Sequence, residues 1–204
     1  MAIYRPSIGQ MIGREFFSRS PLECSRELIG SILRWGNFSG RIVETEAYDG
    51  EDDPACHTFF RTSARVFVAT HEAGVAYVYL NYGIHWMFNV LVKGRRSGFV
   101  LIRALDPQTG IEAMRVNRKR TALTPLTHLC SGPGKLTQAL GIQGGDHGRD
   151  LCSDPCYSFY SGPPPKVLQQ CPRIGISTAM DYPWRFVAAE SPHLSVRPAI
   201  MPLP

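Results

Sequence analysis

The chain has no CxxC pair among its six cysteines (Cys24, Cys56, Cys130, Cys152, Cys156 and Cys171) and no His-x-x-x-His nearby, so neither a zinc frame nor a disulfide scaffold is spelled out. Buried reduced thiols are the expectation, no metal is expected, and a metal gathered by Cys130, Cys152, Cys156 and Cys171 is the lesser alternative. No stretch approaches the ~20 apolar residues of a membrane span, and Met1 to Ser7 carries no apolar h-region, so a soluble, intracellular protein is expected. No repeat of solenoid period is present. Gly132-Pro133-Gly134-Lys135 lacks the Walker A spacing, which argues against a nucleoside triphosphate. What is present is 204 residues, 44% of them hydrophobic, enough for one sizeable core, and a net charge of +5 that suits a polyanionic partner without requiring one.

Ser20-Pro21-Leu22-Glu23 has the chemistry of a helix start, and a helix over 21 to 29 ending at Gly30 is predicted. The β-rich segments 31 to 35 and 40 to 47 flank Gly36-Asn37 and read as a hairpin, with Glu46 near the end of its strand. Residues 49 to 74 read as one long functional loop. Val75 to Leu80 and His85 to Val92 read as a second hairpin with Tyr82 at its tip, followed by the basic turn Lys93-Gly94-Arg95-Arg96 and a strand from Phe99 to Ala104. Pro107 is expected to end the sheet, Gly110 to Arg118 to be helical, and Ser131 to Leu140 to be a Gly-rich turn opening a short helix. Residues 151 to 172 read as an irregular surface excursion. The whole is read as one domain over 1 to 204, with 1 to 15 and 197 to 204 peripheral or flexible and Pro202 to Pro204 disordered.

Glu44 and Glu46 share a strand face with Tyr48. A solvated strand edge is the bland reading of that pair and a catalytic carboxylate the sharp one. Tyr77, Tyr79, Trp86 and Phe88 suit core packing, whereas an aromatic at a hairpin tip is placed to wedge between stacked bases. Lys93, Arg95 and Arg96 could hold phosphates, and Gly134 and Lys135 offer a backbone N–H and a cation to an anion. A lone His57 is more often structural.

In order along the chain, Arg41 to Tyr48, Asp53 to His57, Ala76 to Gly83, Phe88-Asn89-Val90, Val100 to Leu105 and Ser131 to Leu136, with Arg173 to Ile176 and Pro183 to Phe186, resemble the methylpurine, or alkyladenine (3-methyladenine), DNA glycosylase family. The resemblance spans roughly residues 16 to 196. It implies an α+β domain around a curved, mostly antiparallel sheet with surrounding helices and a protruding, DNA-inserting β-hairpin. It implies Glu46 as the base that activates a water, Arg103 as support for phosphate and water, and Tyr82 as the wedge in the gap of a flipped nucleotide. The flipped base would stack among Tyr48, His57 and Tyr79, with Asn89 rejecting guanine. The activity implied is monofunctional release of damaged purines (3-methyladenine, 7-methylguanine, hypoxanthine, ethenoadenine), without cofactor and without a lyase step. The partner implied is double-stranded DNA carrying a damaged purine, with single-stranded DNA open, bound by a monomer away from membranes. The setting implied is the cytoplasm or nucleoid of a bacterium, or the nucleus of a eukaryote.

The chain departs from the family at Val66 to Ala73, where a Met-Phe-Gly-Pro-type segment is usual, and at Asn81, Ile84 and Cys56. These changes could alter substrate range or strand preference. A DNA-binding module without catalysis and an RNA-directed protein are the alternatives.

Overall fold

In the computed structural model, which describes residues 6–198, a single α+β domain is organised around a curved sheet whose strand pairings are all antiparallel among the described residues. In chain order the elements are α1 (Arg14–Phe17), α2 (Pro21–Glu27), β1 (Ile32–Trp35), β2 (Phe38–Asp49), α3 (His57–Phe60), α4 (Thr62–Thr70), β3 (Ala76–Asn81), β4 (His85–Lys93), β5 (Ser97–Thr109), α5 (Ile111–Asn117), α6 (Pro133–Leu140), β6 (Tyr157–Tyr160), β7 (Leu168–Cys171) and β8 (Arg185–Ala188). The strand order is β3-β4-β5-β2-β1-β6, and β8 joins β2 and β7. β2 is long enough to carry β1 along one half of an edge and β8 along the other, with β5 on its opposite edge. No helix among the described residues is long and apolar enough to cross a membrane.

The start of α2 follows its sequence signature. Ser20 Oγ accepts the Glu23 N–H at 3.3 Å, and the Glu23 carboxylate accepts the Ser20 N–H at 3.1 Å. The expected loop over 49 to 74 is replaced in part by α3 and α4. Only Ala64 and Phe67 of α4 are buried, too few contacts to impose a period on the sequence. Pro107 does not end the sheet but lies within β5, opposite Gly40. The β4 partnership stops at Leu101, so the missing Pro107 N–H falls in a stretch of β5 with only β2 beside it. Residues 151 to 172 are not wholly irregular, since they contain β6 and β7, four-residue strands too short to show alternation. Ile12 is buried in the main core. Residues 1–5 and 199–204, including the Pro202 to Pro204 tail, lie outside the described residues.

Two apolar clusters sandwich the sheet. The larger, including Val43, Val78, Phe88, Val90, Val100 and Ile102, covers one face, and a smaller one around Phe67, Tyr77, Leu91 and Phe99 lies under α3 and α4. Cys156 is exposed, contrary to the expectation of buried thiols, whereas burial pushes the Cys24 and Cys130 thiols up to about 12.

Candidate active site

Residues directly opposite on paired strands share a face. Glu46 pairs with Leu101, Leu101 with Asn89, and Asn89 with Tyr77, so one row crosses β2, β5, β4 and β3. Tyr48 opposite Phe99, and Tyr79 opposite Met87, flank that row. Above this face lies a cleft of about 460 Å³, closed by His57, Phe60 and Arg61 of the α3 region, by Pro133 at the start of α6 and by the segment 174–178.

Two successive register shifts break the β2–β5 ladder. Val43 on β2 and Arg103 on β5 have no opposite partner, and such bulges re-aim a side chain. Arg103 thereby reaches two carboxylates, with Nε 3.0 Å from Glu44 Oε1 and Nη1 3.2 Å from Glu46 Oε2. Both carboxylates are fully buried, which rules out the solvated-edge reading.

Their surroundings differ. Glu44 accepts from Arg103 Nε, from Arg185 Nη1 at 3.1 Å, from the Ser195 hydroxyl at 2.7 Å and from the Ser195 N–H at 2.6 Å, which saturates it. Glu46 accepts the Tyr48 hydroxyl at 2.8 Å on Oε2 and the Ile174 N–H at 2.8 Å on Oε1. Tyr48, Arg103 and Ile174 all line the cleft, so Glu46 lies immediately beneath that wall. Burial first, then the Glu46 charge, pushes the Tyr48 phenol well above its ordinary range, so it remains a hydrogen-bond donor at neutral pH.

The floor and one wall of the cleft are rich in aromatic rings, with the Arg61 guanidinium at the α3 side. The His57 ring lies 4.3 Å from that of Tyr79, and its Nδ1 is 3.0 Å from the Tyr77 hydroxyl. Burial, aided by the Arg61 guanidinium, lowers the His57 pKa to about 4. The unfolded chain therefore takes up a proton between about pH 6.5 and 4 that the folded chain refuses. This contribution to stability is complete above pH 6.5 and is lost as the pH falls through that window. Because His57 is partly exposed, we expect a loss on the order of 1–2 kcal/mol between pH 7 and 4. Urea midpoints at pH 7, 5 and 4 should show this slope flattened in His57→Asn; an equal slope would remove His57 as its source.

The β3–β4 hairpin turns through Asn81-Tyr82-Gly83-Ile84, with positive φ at Tyr82 (50°) and Gly83 (68°) and an Ile84 N–H to Asn81 carbonyl bond of 3.1 Å. These are the backbone angles of a tight type I′ turn, which favours Asn or Gly at the first of the two positions. A tyrosine there is strained, and it is 85% exposed.

The structure thus brings together Glu46, Tyr48, His57, Tyr79, Tyr82, Asn89 and Arg103. Asn89 is fixed by donating to the Tyr77 carbonyl at 3.1 Å. Gly134 sits beside the hairpin, where an added Cβ would come within 2.9 Å of the His85 ring, and Lys135 Nζ is 3.4 Å from Ser131 Oγ. Lys93, Arg95 and Arg96 are set apart, at the far end of β4, about 26 Å from the start of that strand near Tyr82 for eight strand steps. Lys93 donates to the Ala69 and His71 carbonyls, Arg96 pairs with Asp49 and Asp52, and Arg95 is exposed. Sequence reasoning assigned no role to Glu44, Arg185, Ser195, Asp53 or Arg173. The signals were the place of Glu44, Asp53, Arg173 and Arg185 within recognised motifs and the shared strand face of Glu44 and Glu46.

A buried carboxylate lies beneath an aromatic cleft with a strained aromatic turn at its mouth, a shape and lining with room for a flat ring. The methylpurine-DNA glycosylase family profile matches residues 15–192, and the chain belongs to that family. It is similar to proteins named "Putative 3-methyladenine DNA glycosylase" in three bacteria. One, from Rhodopseudomonas palustris, is 46% identical over 191 residues, covering 93% of this chain and 90% of its own. One from Granulibacter bethesdensis is 44% identical, covering 88% and 85%, and one from Nitrosospira multiformis is 43% identical, covering 96% and 95%.

Proposed function

We propose that the chain is a monofunctional glycosylase that flips a damaged purine out of double-stranded DNA and hydrolyses its N-glycosidic bond with a water activated by Glu46. The placement of the fully buried Glu46 directly under the aromatic cleft carries this reading. The flipped base stacks among Tyr48, His57 and Tyr79. A water replaces one of the Glu46 contacts, gives its proton to the carboxylate and attacks the sugar C1′, while the bonding pair leaves with the base. A cationic 3-methyladenine or 7-methylguanine leaves without further protonation; neutral hypoxanthine or ethenoadenine requires a proton. Flipping costs a few kcal/mol, least for a poorly paired base, so part of the selectivity precedes the cleft. Asn89, held to the β3 backbone, opposes the exocyclic amine of normal guanine. Neither a metal nor a cofactor enters these steps.

Oligonucleotides bearing each of these lesions, in single- and double-stranded form, test the reading. Base release that leaves an uncleaved abasic strand is expected; release of nothing, or equal release of undamaged purines, would end it.

Tyr82 is assigned as the wedge that fills the vacated stack. Tyr82→Gly removes the strain of a positive φ and should leave the melting temperature unchanged or slightly higher. Excision from duplex should fall by about tenfold or more, with a smaller loss on single strands, since base stacking on an aromatic is worth roughly 1–3 kcal/mol. Undiminished duplex excision would show that the tyrosine does not act as a wedge.

A further inference from the structure

We infer that Arg173, paired with Asp53, is the positioning residue for the Glu46 carboxylate: it steadies Tyr48 and Ile174, the two donors that share Glu46 with the Arg103 guanidinium. This rests on the hydrolysis proposed at Glu46. The ion pair is wholly enclosed, with both side chains at 0% exposure. Arg173 Nη2 lies 2.8 Å from Asp53 Oδ1 and Nη1 meets Oδ2, a two-pronged contact that fixes the guanidinium plane. Nη1 also donates to the Ala47 carbonyl at 3.0 Å, on the strand between Glu46 and Tyr48.

Two paths lead from this guanidinium to Glu46. Along the chain, the next residue is Ile174, whose N–H donates to Glu46 Oε1. Through space, the guanidinium carbon lies 4.7 Å from the centroid of the Tyr48 ring, whose hydroxyl donates to Glu46 Oε2. The Trp184 ring, 5.1 Å away, is a further aromatic neighbour. Arg173 Nε is buried without a hydrogen-bond partner among the described residues. Asp53 lies four residues before His57, so the same pair ties the segment leading into α3 to the wall at 174–178. Lysine cannot reproduce the planar fork.

Two variants separate positioning from fold maintenance. Arg173→Lys keeps the charge and loses the fork, whereas Arg173→Met with Asp53→Leu removes both charges and leaves no uncompensated ion, an exchange that buried pairs often tolerate. Both should lose at least thirtyfold in single-turnover base release, with Kd for lesion duplex within threefold of wild type. Folded variants that keep release within threefold would overturn the inference. A second measurement needs neither activity nor these variants: exchange of the Ile174 amide with solvent should be slow in the wild type and at least tenfold faster in Glu46→Ala. Fast exchange in the wild type, or no change in Glu46→Ala, would overturn the inference even if no variant folded. If wild-type protein releases no base while the amide behaves as expected, the proposed reaction fails and only the Ile174–Glu46 contact of the clamp stands.

Discussion

Glu46→Gln should bind lesion duplex with Kd within about threefold of wild type and release base about a thousandfold more slowly, the range expected when a positioned general base is removed. The carboxamide keeps an oxygen for the Ile174 N–H but lacks the charge that the proposed step requires to take a proton from water. The fold should survive, because Arg103 remains paired with Glu44 at 3.0 Å, and the cost to stability should stay at about 1–3 kcal/mol. Single-turnover assays well below the melting temperature, with binding measured separately, check this. Residual release near wild type would remove Glu46 from the reaction.

Glu44→Gln should behave in the opposite sense, with stability as its main casualty. Glu44 is buried and accepts four hydrogen bonds, two from guanidinium groups and two from Ser195. Neutralising it leaves Arg185 without a carboxylate and Arg103 with only Glu46. Breaking a buried pair from one side costs about 3–5 kcal/mol, which corresponds to a fall in the urea midpoint of about 2 M at the slope usual for small proteins. A shift below about 0.5 M would mean that the arginines find other partners. The pair of results distinguishes two acids that stand two residues apart: one should cost rate, the other fold.

That distinction was not legible from the sequence, in which both acids occupy the same face of one strand. The two hairpins were legible, because β3, β4 and the first half of β5 are β-branched and aromatic runs separated by turn residues, whereas the four-residue strands β6, β7 and β8 were not. So was the start of α2, because a capping box is a local feature. The helices α3 and α4 were not, since α3 is a single turn and α4 buries only Ala64 and Phe67. The fate of Glu44 was hidden because its partners Arg185 and Ser195 arrive from 141 and 151 residues away. The separation of Lys93, Arg95 and Arg96 from Tyr82 follows from the strand length between them, which nearness in sequence conceals. Arg103 was singled out only through the family motif; its reach to both acids depends on a bulge that no local composition announces.

The walls around Glu46 also set a time at which this site can exist. Its contact at Ile174 lies 128 residues downstream, and the Ser195 contacts that complete the Glu44 cluster lie further still. A ribosome adding about 5–20 residues per second needs roughly 8–30 s to travel from Glu44 to Ser195. During that interval the strand carrying both acids is already made, yet the last contacts that enclose them are not. A nascent chain therefore cannot assemble the complete site early, and the capacity to cut bases should appear only after Ser195 has been added.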